Sequence, residues 1–379
     1  MQTLFRRRFP KGIPMTRTPR ICALSTAGLL TLGLPLAATA QQTGPEVDFY
    51  GHINLGIINV DNGAGSDTAL TDNDNSNSRI GLIYKQGTGN GGEFRLHFET
   101  ALGFTGSSSI NGADNGLELN FRRTEIRKFE AIYQSPSWGT LSFGQGSIAT
   151  DGTAEADFSG TSVIAYSSLQ DQAGSQVFQL ASGGASGFDV GDGFSAFDGG
   201  RRFRIRYDTP TYMGFSLAVS AGEEVLTRGN DDEFYDIGLK YDQDYGAYQL
   251  AARAGLSIRD SDEELLLGSV ALLHKATGLN LAVATGRQQE GDASYVYLKG
   301  GIKRDWFALG ETRFSVDYYS GEDFGVTGSD SESLGIAVVQ KVDAWNTELY
   351  ASYRRLEFDD TGSDLLDQDV TFVGARWRF

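Results

Sequence analysis

From residue 47 to the carboxyl terminus, hydrophobic and polar residues alternate along most of the chain. In the run 92–102, Phe94, Leu96 and Phe98 share one face of an extended chain, whereas the charged Arg95 lies on the opposite face. Because a period of two is the repeat of a β-strand, this pattern predicts strands that present one apolar face and one polar face.

The alternating runs are separated by short turns and, in alternation with them, by longer acidic connections. They predict sixteen strands, at 47–60, 78–86, 92–102, 120–135, 140–146, 201–208, 214–222, 233–242, 247–259, 264–276, 279–290, 293–305, 311–320, 331–343, 345–358 and 369–379. A long irregular stretch, 147–200, interrupts the series after the fifth strand. An even number of antiparallel strands with connections of alternating length is typical of a transmembrane β-barrel.

A soluble β-sandwich would also alternate, so other features must separate the two folds. Charged residues occupy the second face in the middle of strands, as Arg204 and Arg206 do opposite Ile205, and a water-filled interior permits this. Aromatic residues lie at strand ends, as in the girdles of membrane barrels: Tyr50, Trp138, Trp306, Tyr318, Trp345 and Trp377. We therefore predict an all-β fold, a 16-stranded antiparallel barrel whose closure leaves no backbone group unpaired in lipid.

One predicted strand, 120–135, does not fit a simple two-faced pattern. Either register places charge on the outside: Arg123, Glu125 and Arg127 in one, Lys128 and Glu130 in the other. A subunit interface over part of the outer wall, a bulge, or a different strand boundary would each account for this.

The amino-terminal 40 residues predict a signal peptide. Six basic residues precede the apolar run 21–36, and Ala38-Thr39-Ala40 fits the small-x-small pattern that signal peptidase cuts. The mature domain is then 41–379. Arg6-Arg7-Arg8-Phe9 resembles a twin-arginine signal, whereas a start at Met15 would leave an ordinary secretory signal.

Composition narrows the possible functions. Cys22, the one cysteine in the sequence, lies in the signal peptide, so the mature chain has no disulfide and no thiolate metal site. Removing the six basic residues, with no acidic ones, takes the net charge from −17 to −23. An exported protein this acidic is a poor partner for nucleic acid. No apolar run after residue 41 approaches the about 18 residues that a membrane helix needs.

Segments spread over the whole mature chain resemble the general porins of Gram-negative outer membranes. They are "VDFYGHINLGI", "NSRIGLIYKQGTGNGGEFRLHFETALGF", "SPSWGTLSFGQGS", "RRFRIRYDTPTYMGFSLAVS" and the closing "FVGARWRF". The order and spacing of these segments carry the resemblance more than any single one. It implies an outer-membrane, sixteen-stranded homotrimer in which each subunit has its own water-filled pore for small hydrophilic solutes and ions.

The resemblance also implies a third external loop that folds into the barrel and narrows the pore, and 147–200 stands in its place. In the family, acids on this loop face basic residues on the opposite wall. The implied constriction residues are Asp151, Glu155 and Asp157 on the loop, and Arg79, Arg95, Arg122 or Arg123, Arg202, Arg204 and Arg206 on the wall. The chain departs from its relatives at Gln145, where an arginine is usual, and it lacks the Pro-Glu-Phe-Gly-Gly loop sequence of enteric porins.

The last strand ends on alternating residues, with Trp377 and Phe379 on its apolar face. Closure of a barrel requires this strand to pair with the first one, which leaves no exposed edge. The resemblance further implies that the terminal aromatic residue is recognised by the barrel assembly machinery.

Other signals in the sequence favour no chemistry. Residues 87–92 fit G-x-G-x-x-G, but a strand follows them where a nucleotide site needs a helix. The three histidines are widely separated, so a hydrolase is disfavoured, and no cofactor is expected. Acidic runs such as 231–233 and 260–264 are solvated surface, or weak divalent-cation bridges to lipopolysaccharide. The competing classes are a diffusion channel, a non-conducting binding or structural barrel, and an outer-membrane enzyme.

Overall fold

The computed structural model describes residues 44–112, 116–259 and 263–379. Its strands are β1 (Glu46–Asp61), β2 (Ser66–Asp72), β3 (Arg79–Gly87), β4 (Glu93–Ala101), β5 (Ile126–Ser135), β6 (Gly139–Ser147), β7 (Val177–Leu180), β8 (Ala185–Asp189), β9 (Arg201–Asp208), β10 (Phe215–Glu223), β11 (Glu233–Asp244), β12 (Tyr248–Arg259), β13 (Glu263–His274), β14 (Leu279–Gln288), β15 (Ser294–Phe307), β16 (Gly310–Glu322), β17 (Asp330–Val342), β18 (Thr347–Asp359), β19 (Leu365–Leu366) and β20 (Gln368–Arg378). The predicted signal peptide, 1–40, lies outside these residues.

In the described part of the chain, sixteen strands form one closed antiparallel ring, as predicted. They are the strands at the sixteen predicted positions, and β1 and β20 close the ring along 52–61 of β1. The other edge of β1 pairs with β3 through 46–52 and with the extra strand β2 through 55–61. The short strands β7, β8 and β19 form a separate sheet.

The seam of the barrel includes the last residue of the chain. The Gly51 amide donates to the carbonyl oxygen of Phe379 at 3.0 Å, and the Phe379 amide donates back at 3.1 Å. The Phe379 ring stacks on Phe49 and packs against Trp377. The terminal residue therefore belongs to the wall. Among the described residues, no helix is long and apolar enough to cross a membrane.

The two faces of the wall differ as the alternation predicts. On β13, Leu266 and Val270 point outward and are 52% and 47% exposed, whereas Leu265 and Leu267 point inward and are buried. Outward apolar side chains of this kind continue around the ring, which gives the barrel a surface suited to lipid.

The strand predicted at 120–135 is shorter than expected. β5 begins at Ile126, and Arg123–Glu125 before it form a 3₁₀ turn outside the ring. The charged residues of that turn therefore belong to neither face of the barrel wall.

A β-bulge accounts for the remaining charges of this strand. Glu99 of β4 pairs with Lys128 of β5, but the next pair is Thr100 with Ile126, so Arg127 is an extra residue. A bulge re-aims the side chains beside it. Arg127 consequently turns inward and donates to the carboxylate of Glu99.

The segment between β6 and β9, residues 148–200, hydrogen-bonds to side chains on the inner face of the wall. The Ala149 amide donates to Ser220 of β10 at 2.8 Å, and Thr150 donates to Asp236 of β11 at 2.8 Å. Gly238 permits this approach, since a Cβ there would lie 2.4 Å from the carbonyl oxygen of Ala149.

Farther around the ring, the same segment packs its apolar residues against the wall. Phe194 contacts Tyr319 of β16 and Phe178 contacts Phe358 of β18, with ring centroids 5.3 and 5.5 Å apart. These side chains and Leu265 of β13 belong to one buried cluster. Full burial of a side chain of this size contributes roughly 1.5–3 kcal/mol, so the cluster holds the segment firmly to the inner wall.

Candidate functional site: a charged cavity inside the barrel

A polar cavity of about 570 Å³ separates part of this segment from the opposite inner wall. Five arginines line it: Arg79, Arg127, Arg201, Arg259 and Arg376. Five acids line it as well: Asp74, Asp151, Glu155, Asp171 and Asp198. All the acids except Asp74 come from 148–200, whereas all the arginines come from barrel strands. Opposite charges therefore face one another across the cavity.

Glu99 of β4 fixes two of the arginines. Its carboxylate accepts a hydrogen bond from Nε of Arg127 at 2.8 Å and lies 3.7 Å from Nη1 of Arg79. The hydroxyl of Tyr50 donates to the same carboxylate at 2.7 Å. One buried carboxylate thus orients two guanidinium groups, which leaves an excess of positive charge on this wall.

Two further arginines have carboxylate partners at the edge of the cavity. Arg376 donates to Glu348 at 2.8 Å through Nε, and Arg259 donates to Glu263 at 3.2 Å. Arg376 also donates to the hydroxyl of Ser76 at 3.0 Å, which ties the end of β20 to the connection that precedes β3.

Arg201, at the start of β9, differs from its neighbours. In the described residues its guanidinium makes no hydrogen bond and no ion pair. The carboxylates of Asp151 and Glu155 are likewise without such partners in the described structure, and both line the same cavity. Unneutralised charges of opposite sign thus lie on the two sides of one water-accessible space.

The pKa values of several acids on the segment are raised. For Glu155 the causes are enclosure by the barrel, followed by the neighbouring carboxylates of Asp198, Asp151 and Asp171, while Arg201 opposes the shift. Burial raises the pKa of Asp198 and of Asp171 to about 7. The side chain of Glu155 remains open to the water of the cavity. Part of the negative charge can therefore be lost near neutral pH.

Asp157 has a different role from the other acids of the segment. It accepts a hydrogen bond at 3.0 Å from Nζ of Lys299, a buried residue of β15 that also donates to the carbonyl oxygen of Ala165 at 2.6 Å. Burial alone would raise the pKa of Asp157, but Lys299 and Ser159 hold it below its usual range. Asp157 clamps the segment to the wall and does not line the main cavity.

The three arginines predicted on β9 point inward but are occupied by partners. Arg204 is buried and donates to Glu130 at 2.5 Å, and Arg206 donates to Asp208 at 2.7 and 2.9 Å. The guanidinium of Arg202 lies over the ring of Phe234, 4.1 Å from its centroid. None of the three lines the main cavity.

Two other predicted residues lie away from the cavity. Arg95 of β4 pairs with Glu93 and donates to Gln134 at 2.7 Å, close to the short turn at 87–92. Arg123 lies in the exposed 3₁₀ turn before β5. Of the predicted set, Arg79, Asp151 and Glu155 are therefore the residues that the structure brings together at the cavity.

Sequence reasoning missed most of the basic side. The bulge hid Arg127, because alternation left the register of 120–135 open and placed Arg127 outward in one of its two registers. Arg201 immediately precedes the predicted inward series on β9, and Arg376 lies on the last strand, where no constriction residue was predicted. Among the acids, Asp198 was detectable only as a charge close to the end of the irregular stretch.

No metal site emerges from the described residues, which contain no group of three or more His, Asp or Glu side chains placed to hold an ion. Asp231 and Asp232 are exposed in the connection between β10 and β11. Asp260 and Asp262 of the other acidic run lie outside the described residues.

The sequence matches the family model described as Gram-negative porin over residues 25–361. The chain belongs to the Gram-negative porin family. It is therefore an outer-membrane β-barrel of the class that forms channels for passive diffusion. A comparison with curated proteins found no match.

Solved structures similar to this porin share its architecture. An anion-selective porin from Comamonas acidovorans superposes with a TM-score of 0.57 at 16% identity, covering 89% of this chain and 100% of the other. The outer-membrane channel DcaP of Acinetobacter baumannii gives 0.56 at 13% identity, covering 91% and 100%. OmpT of Vibrio cholerae gives 0.55 at 13% identity, covering 90% and 99%. At these identities the likeness establishes the fold.

Proposed function

We propose that this porin is a passive channel for small hydrophilic solutes and ions, and that residues 148–200 form its constriction. The observation that carries the proposal is the presence of ionisable side chains without hydrogen-bond or ion-pair partners on both sides of one cavity, Asp151 and Glu155 on the segment and Arg201 on the wall. The segment is fixed to the inner wall by hydrogen bonds and by the apolar cluster, so it narrows the lumen as a static element.

Opposed charges make such a passage selective without any chemical step. The field between them acts inside a space too small to hold many screening ions, whereas bulk salt screens charges over about 8 Å. Dipolar solutes align with this field, and apolar solutes must displace oriented water. Small polar solutes therefore pass most easily, down their own gradients.

We further propose a preference for anions at neutral pH. The arginines stay charged at any physiological pH. Among the acids, burial raises the pKa of Asp198 and Asp171 to about 7 and also raises that of Asp74. The cavity is thus more positive than equal numbers of acids and arginines would suggest. The similar fold of an anion-selective porin is consistent with this preference.

Liposome swelling tests the channel directly. Vesicles containing the purified protein should swell in uncharged sugars at rates that fall as the solute becomes larger. A non-conducting barrel of the structural or binding class would give no swelling above protein-free vesicles.

The partners of the histidines also favour a channel over a hydrolase: His97 contacts Tyr50 and Glu130, and His274 contacts Thr277.

The assembly we propose is a homotrimer, with lipopolysaccharide and the barrel assembly machinery as its other contacts. Support comes from OmpT of Vibrio cholerae, a similar fold that forms a trimer. Native mass measurement in detergent should give three chains per particle, and a stable monomer would contradict the trimer while leaving the channel intact. We also propose that Asp231 and Asp232 bind divalent cations weakly and that these cations bridge the porin to lipopolysaccharide.

A further inference from the structure

A second, smaller cavity of about 290 Å³ opens beside the main one. Arg127 and Arg201 line both cavities, whereas Arg202 lines only the smaller one. The smaller cavity lies between the ends of β5, β6, β9 and β10 that face the long connections. Its volume falls at the lower end of ligand pockets, which hold roughly 300–1,000 Å³.

The charges around this side cavity do not balance. Three guanidinium groups face two carboxylates, Glu125 and Glu224. Glu224 is largely occupied, since it pairs with Arg202 and accepts hydrogen bonds from the backbone amides of Leu226 and Thr227. Arg201, in contrast, has no partner in the described structure. A guanidinium offers paired N–H donors that match the two oxygens of a carboxylate.

The side cavity also contains an unused acceptor. Gln145 is 6% exposed and lines the cavity, and its Oε1 has no hydrogen-bond partner among the described residues. A buried polar atom without a partner costs on the order of 1–3 kcal/mol, which a ligand hydroxyl could recover. Asn77, Thr124 and Thr227 add further polar groups to the lining.

We propose that this side cavity is a binding subsite for small hydroxylated carboxylates of the sugar-acid class. The carboxylate pairs with Arg201, in the positive field of Arg127 and Arg202, and a hydroxyl donates to Oε1 of Gln145. The proposal rests on the proposed channel function, because the side cavity shares Arg127 and Arg201 with the main cavity of the channel. The subsite adds a binding site for one class of solute beside the main path through the barrel.

Single-channel recording in KCl tests the subsite, with gluconate as the probe. Glucose, which has hydroxyls but no carboxylate, and propionate, which has a carboxylate but no hydroxyls, are the matched solutes. Gluconate should reduce the current at lower concentrations than either. Equal block by gluconate and propionate would overturn the role of the hydroxyls, and no block by gluconate would overturn the subsite.

Substitutions locate the block within the barrel. Arg201→Gln should raise the half-blocking concentration of gluconate about tenfold, equivalent to about 1.4 kcal/mol. Gln145→Leu should weaken gluconate but not propionate. Arg253→Gln, which removes an inner-wall arginine paired with Asp242 elsewhere in the barrel, is the control and should change nothing.

Arg201→Lys keeps the charge but not the paired donors. Its half-blocking concentration of gluconate should therefore lie between those of the wild type and Arg201→Gln. Block by gluconate that is unaffected in both Arg201 variants would contradict the assignment. Absence of any channel current would instead refute the proposed function, so the two failures are distinguishable.

Discussion

Two parts of the inner wall differ sharply, although the outer face is apolar in both. On β13–β18 many inward residues are apolar or aromatic, such as Leu265, Tyr319 and Phe358, and they pack against residues 148–200, although buried ion pairs such as Arg354–Asp317 lie among them. On β3, β4, β5 and β9 many inward residues are charged and form ion pairs, such as Arg127 with Glu99 and Arg204 with Glu130. We call these the apolar wall and the charged wall.

We infer from this difference how the barrel can hold residues 148–200 against its inner wall and still leave a water-filled path. Apolar burial is favourable wherever the segment can exclude water, so an apolar wall fixes it in place. The charged wall cannot lose its water without leaving ions unsolvated, so it stays separated from the segment. The cavity therefore lies between the segment, which the apolar wall fixes, and the charged wall, which stays solvated.

The largest effect on the current should come from removing the polar clamp on the apolar wall. Lys299→Met leaves the buried carboxylate of Asp157 without its cation, and breaking such a pair costs about 3–5 kcal/mol. The segment should then detach for part of the time, giving larger and noisier single-channel currents. Lys303→Met, on the same strand, is the control, and identical currents in both variants would contradict the clamp.

On the charged wall, neutralising arginines should change selectivity without loosening the segment. Arg127→Gln with Arg201→Gln should shift the reversal potential in a KCl gradient toward cations. Arg206→Gln with Arg253→Gln should shift it less, since their partners Asp208 and Asp242 lie close to the short turns. Equal shifts in the two double variants would remove the cavity arginines from their proposed role.

A smaller effect should follow from pH. An acid whose pKa is raised by the fold is neutral below that pKa and charged above it. Burial places the pKa of Asp171 and Asp198 at about 7, so lowering the pH from about 8 to 6 should increase the preference for anions. Reversal potentials across this range measure the change, and Asp198→Asn should flatten it. A cavity whose selectivity is constant over this range would contradict the shifts.

The smallest effect on the current is expected at the seam. Deleting Phe379 removes two backbone hydrogen bonds to Gly51 and the ring that stacks on Phe49. Folded yield should therefore fall, whereas the conductance of each assembled channel should stay unchanged. Normal yield from the shortened chain would show that the seam does not need its last residue.

The fold could be predicted from sequence because a barrel wall alternates residue by residue, and lipid on one side makes that alternation strict. The pairing of β20 with β1 followed from the same logic. The extra strand β2 and the short sheet of β7, β8 and β19 were not predicted, since they are short segments within the longer polar connections.

The site was harder to predict because alternation gives direction but not partners. It correctly placed Arg204 and Arg206 inside the barrel, but not the carboxylates that occupy them. The bulge at Arg127 shifts the pairing of β5 with β4, and the direction of the Arg127 side chain depends on that pairing. A usable signal was present on the apolar wall: Leu265 and Leu267 are apolar where a water-filled lumen would require polar residues.

The most direct test of the account is single-channel recording of the purified protein in a planar bilayer across a KCl gradient. We predict stable, stepwise currents in groups of three, with a reversal potential that shows a preference for anions at neutral pH. A folded protein that is electrically silent in the bilayer would contradict the central claim that the charged cavity lies on an open path through the barrel.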